Sequence, residues 1–564
     1  DFKRLGVNAI ELMPVNEFSG NESWGYNPTF YCALDKAYGT KNKFKEFIDL
    51  CHQNGIAVIL DVVYNHMDAF SNPQGKLYWD AAAGKPAASS PWFNQTAPHP
   101  YSVFEDLNHT STATQYLIER SMEYWLGEYK IDGFRFDLAK GFTQTTTSTT
   151  TVENYDAGRV ANLNRYYDYI IPKFPTTYMI LEFLGQQRQE EQEYATKGFM
   201  LWGNNNATYN QNTMGYSSNA DISKIIYNST QEALTTPSEM GYMESHDEER
   251  LMYKNLQYGN SAGSYNVKNL AIALERQAAA AAIFFTVPGP KIIWQFGERG
   301  YDVSIGFNGS NVANKPPHWE YMSDANRLKL WNAYSKLIRL RLDNPAVFNN
   351  TTFTYDFNDN SGLFRRFQIA DPLATGMKVT VVANMDITPQ TRSITFQGTG
   401  DWYSYLGNGT GAGINGATDA AFNITTATQS ITLQPGEYHV YVSKPACTTA
   451  FPTATSTVNY CQNATAAALT ATGTNLLWYP TATGGTGSTT APVPSTTTIG
   501  NNTYYVSQTV GCESARLPIA VLVTASTPAP TVTALISYCQ NVTAVALKAT
   551  GNNLMWYTTS TGGA

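Results

Sequence analysis

Gly133-Phe134-Arg135-Phe136-Asp137-Leu138-Ala139-Lys140 is the stretch on which the reading of this chain turns. Residues 131–136 read as a short buried strand, and Asp137 follows its last residue. Arg135 stands two residues earlier, so on extended backbone its side chain leaves on the same side as that of Asp137. A guanidinium in that position is expected to hold the Asp137 carboxyl in its charged form.

The same arrangement recurs outward in both directions. Residues 56–60 form an apolar run that ends at Asp61, residues 177–181 end at Glu182, and residues 239–244 precede Ser245-His246-Asp247. Residues 7–13, 198–202 and 290–296 add three further strand candidates. Helix signals separate most of them. Phe44, Phe47, Ile48 and Cys51 recur at helical spacing before Gly55, and Ile118, Met122, Trp125 and Tyr129 mark a second helix face. Repeated strand-then-helix order predicts a parallel sheet. In a (β/α)₈ barrel the C-terminal strand ends form one rim, where residues distant in sequence converge. A single aspartate past a strand end is more simply a helix N-cap. Four carboxylates at four strand ends, two with a histidine nearby, point to a site.

Taken in order, Asp61-Val-Val-Tyr-Asn65-His66, Gly133 to Lys140, Ile180-Leu-Glu182 and Ser245-His246-Asp247 resemble the four signature regions of the α-amylase superfamily of glycoside hydrolases, family 13. Phe104-Glu-Asp106-Leu-Asn108 is similar to a fifth region, and Trp24-Gly-Tyr26-Asn-Pro28 to the segment after the family's second strand. The resemblance implies a TIM barrel over residues 1–343, with an insert at about 67–105, whose first strand is absent from this chain because residues 7–13 match the second. It implies Asp137 as nucleophile, Glu182 as acid and then base, and Asp247 as the group that binds sugar hydroxyls and favours the distorted ring. His66 and His246 would donate to the same sugar, Tyr26 would stack on it, Arg135 would support Asp137, and Lys140 would reach the sugar beyond the scissile bond. No cofactor is required. The metal question stays open: relatives bind structural Ca²⁺ through an Asn at the position of Asn65, but the insert offers few acids, namely Asp68, Asp80 and Glu105.

The sequence departs from the family in three places. Phe183 follows Glu182 and Leu181 precedes it where many amylases have Gly; Gly141 follows Lys140 where a His is common; Gln295-Phe-Gly-Glu298 is reminiscent of branching and debranching relatives. The expected activity is hydrolysis of α-1,4 links in starch-type α-glucans with retention. A glucan transferase is the first alternative, and a catalytically inactive surface glucan-binding protein the second.

Composition limits the partners. Among 564 residues, 37 Lys and Arg against 45 Asp and Glu leave a net charge of −8, which gives no reason to expect nucleic acid or an anionic membrane. No window supplies the roughly 20 apolar residues a spanning helix needs, the run 278–287 being too short. Charged residues are 15% and aromatics 13%, which suits an extracellular protein that handles neutral polar ligands. A monomer is expected, secreted or at the cell surface. The start at Asp1 reads as that of a fragment whose signal, if it has one, lies outside it.

Residues 344–443 alternate as strands with turns at Asn408-Gly409 and Pro435-Gly436, predicting an antiparallel β-sandwich packed on the last barrel helix. After a linker at 444–458 comes a repeat. Asn459-Tyr-Cys461-Gln-Asn463 returns as Ser537-Tyr-Cys539-Gln-Asn541, and Leu477-Trp478-Tyr479 as Met555-Trp556-Tyr557, each 78 residues later. We expect an Ig-like sandwich at 459–525 and a truncated second copy at 526–564, similar to modules of secreted Bacteroidetes proteins. Cys461 and Cys512 are candidates for a disulfide, Cys539 lacks its counterpart, and Cys32 and Cys51 are expected as buried thiols.

Overall fold

The computed structural model describes all residues except 102, 187, 358–362, 412, 417, 445–450, 482–484, 511, 515, 526–529, 534, 552–553 and 560–564, together with the side chain of Cys512. Its first unit runs from Asp1 to Ala446 and its second from Cys447 to Ala564.

Seven parallel strands form the sheet of the first unit: β1 (Ala9–Leu12), β2 (Ala57–Val62), β3 (Gly133–Phe136), β4 (Tyr178–Leu181), β5 (Met200–Asn204), β6 (Glu239–Tyr242) and β7 (Lys291–Ile292). They pair in that order. Strand β7 is shorter than the expected 290–296, and Asp61 lies inside β2 rather than past its end. Every residue of β3 and β6 is buried, whereas every residue of β1 and β7 is half-buried. That gradient is what an open curved sheet produces, with its two outer strands covered on fewer sides.

Helices α1 (Lys41–Gln53), α2 (Thr112–Tyr124), α3 (Ala157–Ile170), α4 (Arg188–Lys197), α5 (Asn206–Met214), α6 (Leu251–Tyr258), α7 (Leu270–Thr286) and α8 (Ala325–Asp343) cover the sheet. Helix α1 buries Phe44, Ile48 and Cys51, and past its C-terminus Gly55 takes a φ of +71°, a conformation costly for any residue with a Cβ. Helix α2 passes into a π-turn over Trp125–Tyr129 that keeps Ile118, Met122, Trp125 and Tyr129 all buried. Ala278 to Phe285, the apolar run too short to span a membrane, is the buried body of α7. No helix among the described residues is long and apolar enough to cross a membrane.

The following region is a β-sandwich. One antiparallel sheet contains Phe353–Asp356, Phe364–Ala370, Lys378–Asn384, Gly400–Gly407, Ala421–Ile424 and Tyr438–Val442; the other pairs Gln390–Thr395 with Thr428–Leu433. Val379, Val381, Tyr438 and Val440 share one apolar core with Phe284, Trp331 and Leu337 of α7 and α8. Arg276 of α7 donates to the backbone carbonyls of Asn212 at 2.8 Å and Met385. The sandwich therefore packs on α8, as expected, and on α7 as well.

In the second unit, Leu477–Tyr479, Gly500–Ser507, Leu517–Thr524 and Thr457–Cys461 form one sheet around Leu469, Trp478, Val506, Ile519 and Val521. The repeat is visible in hydrogen bonding. Thr453–Ala454 pairs with Ala471–Thr472, and Thr531–Val532 pairs with Ala549–Thr550, in the same register 78 residues on. The Tyr460 hydroxyl accepts from Ala467 N at 3.2 Å, and the Tyr538 hydroxyl from Val545 N at 3.2 Å.

One cysteine expectation changes. Cys32 is exposed, because on Pro28–Leu34 it faces away from buried Tyr31; Cys51 is buried as expected. Cys461 is a free exposed thiol among the described residues, and the bridge to Cys512 falls on a side chain outside them.

Candidate active site

Register builds the site. Asp61 of β2 is level with Arg135 of β3, and Arg135 is level with Ile180 of β4. Asp137 and Glu182 each stand two residues further on, so both rise to the rim together. Backbone bonds fix them there: Asp137 N donates to Val62 O at 3.1 Å, and Glu182 N to Phe136 O at 3.0 Å.

Arg135 is the hub. Its side chain is fully buried. Nη1 lies 2.9 Å from Asp61 Oδ2 and 2.9 Å from Asp137 Oδ1, and Nη2 lies 3.2 Å from Glu182 Oε1. The centre of the Trp202 ring, from the middle of β5, lies 4.1 Å from its Cζ. Leu138 N donates to Glu182 Oε2 at 2.8 Å. Three carboxyls thus share one guanidinium.

Arg135 favours the charged form of Asp137, as expected, but it shares its one charge with two further carboxyls. Burial and the neighbouring Glu182 push the Asp137 carboxyl well above the ordinary carboxylate range, and Arg135 offsets them only in part. Asp61 is pushed up to about 6, chiefly by burial, against Arg135 and the Tyr26 hydroxyl. Glu11 on β1 is pushed up to about 8 by burial and by Asp61. The site carries more acid than its one buried cation balances.

The opposite wall is aromatic. The Tyr26 hydroxyl donates to Asp61 Oδ2 at 2.7 Å and lies 2.9 Å from His246 Nε2. Since its one proton goes to the carboxylate, it accepts from His246, which assigns the imidazole proton to Nε2. Burial, then Arg135, pushes His246 down to about 3, so the ring is neutral. The same Nε2 is 3.3 Å from Asp247 Oδ2. Tyr26 stacks on the ring of His246, and Trp24, Trp202 and Trp294 surround it. Asp247 is the open member, its side chain 54% exposed.

The other expected residues sit differently. His66 is buried and its Nε2 lies 2.9 Å from the Tyr26 carbonyl, to which it must donate. It holds the Tyr26 backbone, so its ring N–H is already used. The Lys140 ammonium is paired with Glu153. Gly141 has a steric reason: a Cβ there would lie 1.8 Å from Asn65 Oδ1. Trp202, Glu11 and Glu248 were missed. Trp202 lies in the middle of β5 rather than past a strand end, and as an aromatic it carries no signal comparable to that of the carboxylates.

The calcium expectation meets a poor donor set. Asn65 Oδ1 is a buried oxygen without a hydrogen-bond partner among the described residues. The nearby acids are engaged: Asp106 lies 2.9 Å from His99 and accepts from Asn94, Glu105 accepts from Ala69 N, and Asp68 accepts from Ser71 N. No group of three His, Cys, Asp or Glu side chains among the described residues is placed to hold a metal.

Comparison with known proteins gives the family. Residues 2–331 match the model of the alpha amylase catalytic domain, and residues 449–524 that of the CHU_C-associated Ig-like domain. Alpha-amylase 3 of Dictyoglomus thermophilum is 22% identical over 68% of this chain and 78% of its own length. Malto-oligosyltrehalose trehalohydrolase of Saccharolobus solfataricus is 36% identical over 24% of this chain, and the match spans only 22% of that relative. The solved α-amylase of Geobacillus thermoleovorans, complexed with acarbose, shares the fold at a TM-score of 0.57 and 15% identity, over 78% of this chain and 89% of its own. With the family model covering more than half of its length, the chain belongs to the alpha-amylase catalytic-domain family.

Proposed function

We propose that this chain is a retaining glycosidase that cleaves α-1,4-glucosidic links in starch-type α-glucans. The observation that carries this reading is the presentation of Asp137 and Glu182 side by side on one buried guanidinium. Glycosidic cleavage needs one carboxyl that gives a proton and one that attacks. In the first step Glu182 protonates the glycosidic oxygen, Asp137 Oδ forms a bond to the anomeric carbon, and the shortened glucan leaves with a free hydroxyl. In the second step Glu182 takes a proton from water, whose oxygen displaces Asp137 and restores both groups. Asp247 accepts hydrogen bonds from the sugar, whose apolar face rests on the aromatic wall, while neutral His246 spends its one N–H on Tyr26. No step uses a metal or cofactor. We also propose a secreted or surface location, which the Ig-like domain and the low charge content support, and a monomer.

Amylose is the test substrate, with iodine stain and reducing ends followed together. Hydrolysis makes reducing ends rise as the stain falls. A falling stain without new reducing ends would instead mean transfer to a sugar hydroxyl. No change in either signal from folded protein would overturn the enzymatic reading.

A further inference from the structure

Asp247 combines a demanding role with weak anchorage. Its carboxyl is the most exposed of the rim acids, and its one described side-chain contact is with His246 at 3.3 Å. A group that favours a distorted sugar must hold its position to a fraction of an ångström. The backbone supplies that hold. Asp247 N donates to Ser245 Oγ at 3.1 Å, and Ser245 Oγ donates to Glu248 Oε2. Glu248 Oε1 accepts from Asn204 Nδ2, at the end of β5, and from the Tyr242 hydroxyl at 3.3 Å, at the end of β6. One carboxyl therefore ties two strand ends to the turn that carries Asp247. Its neighbours face elsewhere: Glu244 Oε1 accepts from Leu251 N at 2.8 Å, and Glu249 accepts from Ser304 Oγ and Ile305 N.

We propose that Glu248 is a positioning residue, which through Ser245 and Asn204 locks the Asp247 turn in its transition-state geometry. This rests on the glycosidase reading above. A misplacement of about 1 Å costs roughly 100-fold in rate, so Glu248→Gln and Ser245→Ala should each lower kcat by about 10- to 100-fold. KM should change little, because Asp247 acts on the distorted sugar. Melting temperatures within a few degrees of the parent's distinguish this from unfolding.

The decisive comparison is a double-mutant cycle on an activated maltosyl fluoride. In an Asp247→Asn background the Glu248→Gln change should cost nothing further, since Glu248 acts through Asp247. A full additive loss, or unchanged kcat in both single variants, overturns the proposal. A readout independent of turnover is a crystal structure of Ser245→Ala. Displacement of Asp247 from His246 is expected there, and an unmoved turn would count decisively against the lock. If the parent protein turns over no glucan, the glycosidase reading fails while this structural test still stands.

Discussion

Two arginines of the barrel, both fully buried, show how differently one residue type is used. Arg159 on α3 meets a single carboxylate in bidentate fashion, Glu190 at 2.8 and 2.6 Å, and donates to the carbonyls of Lys140, Val152 and Asn154. Glu190 in turn accepts from Asp156 N and the Tyr194 hydroxyl. That pair is balanced in charge and saturated in hydrogen bonds, as a buried ion pair must be to persist. Arg135 meets three carboxyls instead, and Glu11 lies in reach of its field. It is outnumbered, and the surplus acid opens onto the rim. The balanced cluster is closed on itself; in the unbalanced one burial raises Asp61, Asp137 and Glu11 above the ordinary carboxylate range.

The largest break in this comparison comes from Asp137→Asn. Turnover of amylose should fall by about 10⁴-fold or more, the usual scale for loss of a residue that forms the intermediate. Folding should be unharmed, because the amide removes a buried carboxyl that burial already disfavours. Amylose turnover near the parent's rate would remove Asp137 from its role.

Arg159→Met should do the reverse. Leaving Glu190 buried without its partner costs about 3–5 kcal/mol of stability, read from urea unfolding. Activity per folded molecule should stay within a few-fold. A normal melting temperature would show that the balanced pair carries no structural weight.

A smaller effect is expected where one segment joins the two clusters. Lys140 O accepts from Arg159, and Gly141 packs against Asn65. Gly141→Ala forces that contact and should cost about 1–3 kcal/mol, the range for overpacking. Unchanged stability would mean that Asn65 simply moves aside.

The remaining effect concerns pH. Glu11 has its carboxyl at about 8 in the fold, against an unfolded value near 4.5. Between those values the folded state holds a proton that the unfolded state has released. Its contribution to stability is therefore full below about pH 4.5 and is lost as pH rises through 8. Glu11→Gln should match the parent at pH 4 and exceed it increasingly toward pH 8, measured by unfolding midpoints. A constant offset between the two proteins would place Glu11 outside the surplus.

Much of the site was legible before the fold, for identifiable reasons. Asp137 and Glu182 follow short apolar runs, and the run-then-acid pattern marks a strand end wherever the strand sits. The 78-residue repeat was legible because strand pairing within a copy is local. Burial was not legible. Trp478 is 4% exposed, on a strand paired with Gly500–Ser507 and in one core with Leu517–Thr524, while its counterpart Trp556 is 56% exposed, with no equivalent strands among the described residues. Cys32 was misjudged for the same reason: alternation shows that neighbours face opposite ways, not which way lies inward.

By itself, then, the sequence determined the order of strands and helices, the identity of the rim acids and the family to which the chain belongs. These depend on periodicity and spacing along the backbone. Only the tertiary structure decided which groups share Arg135, that His66 spends its N–H on the Tyr26 carbonyl, and that Glu248 ties down the turn of Asp247. Charge balance and hydrogen-bond saturation are sums over groups brought together from distant segments. No local stretch contains them.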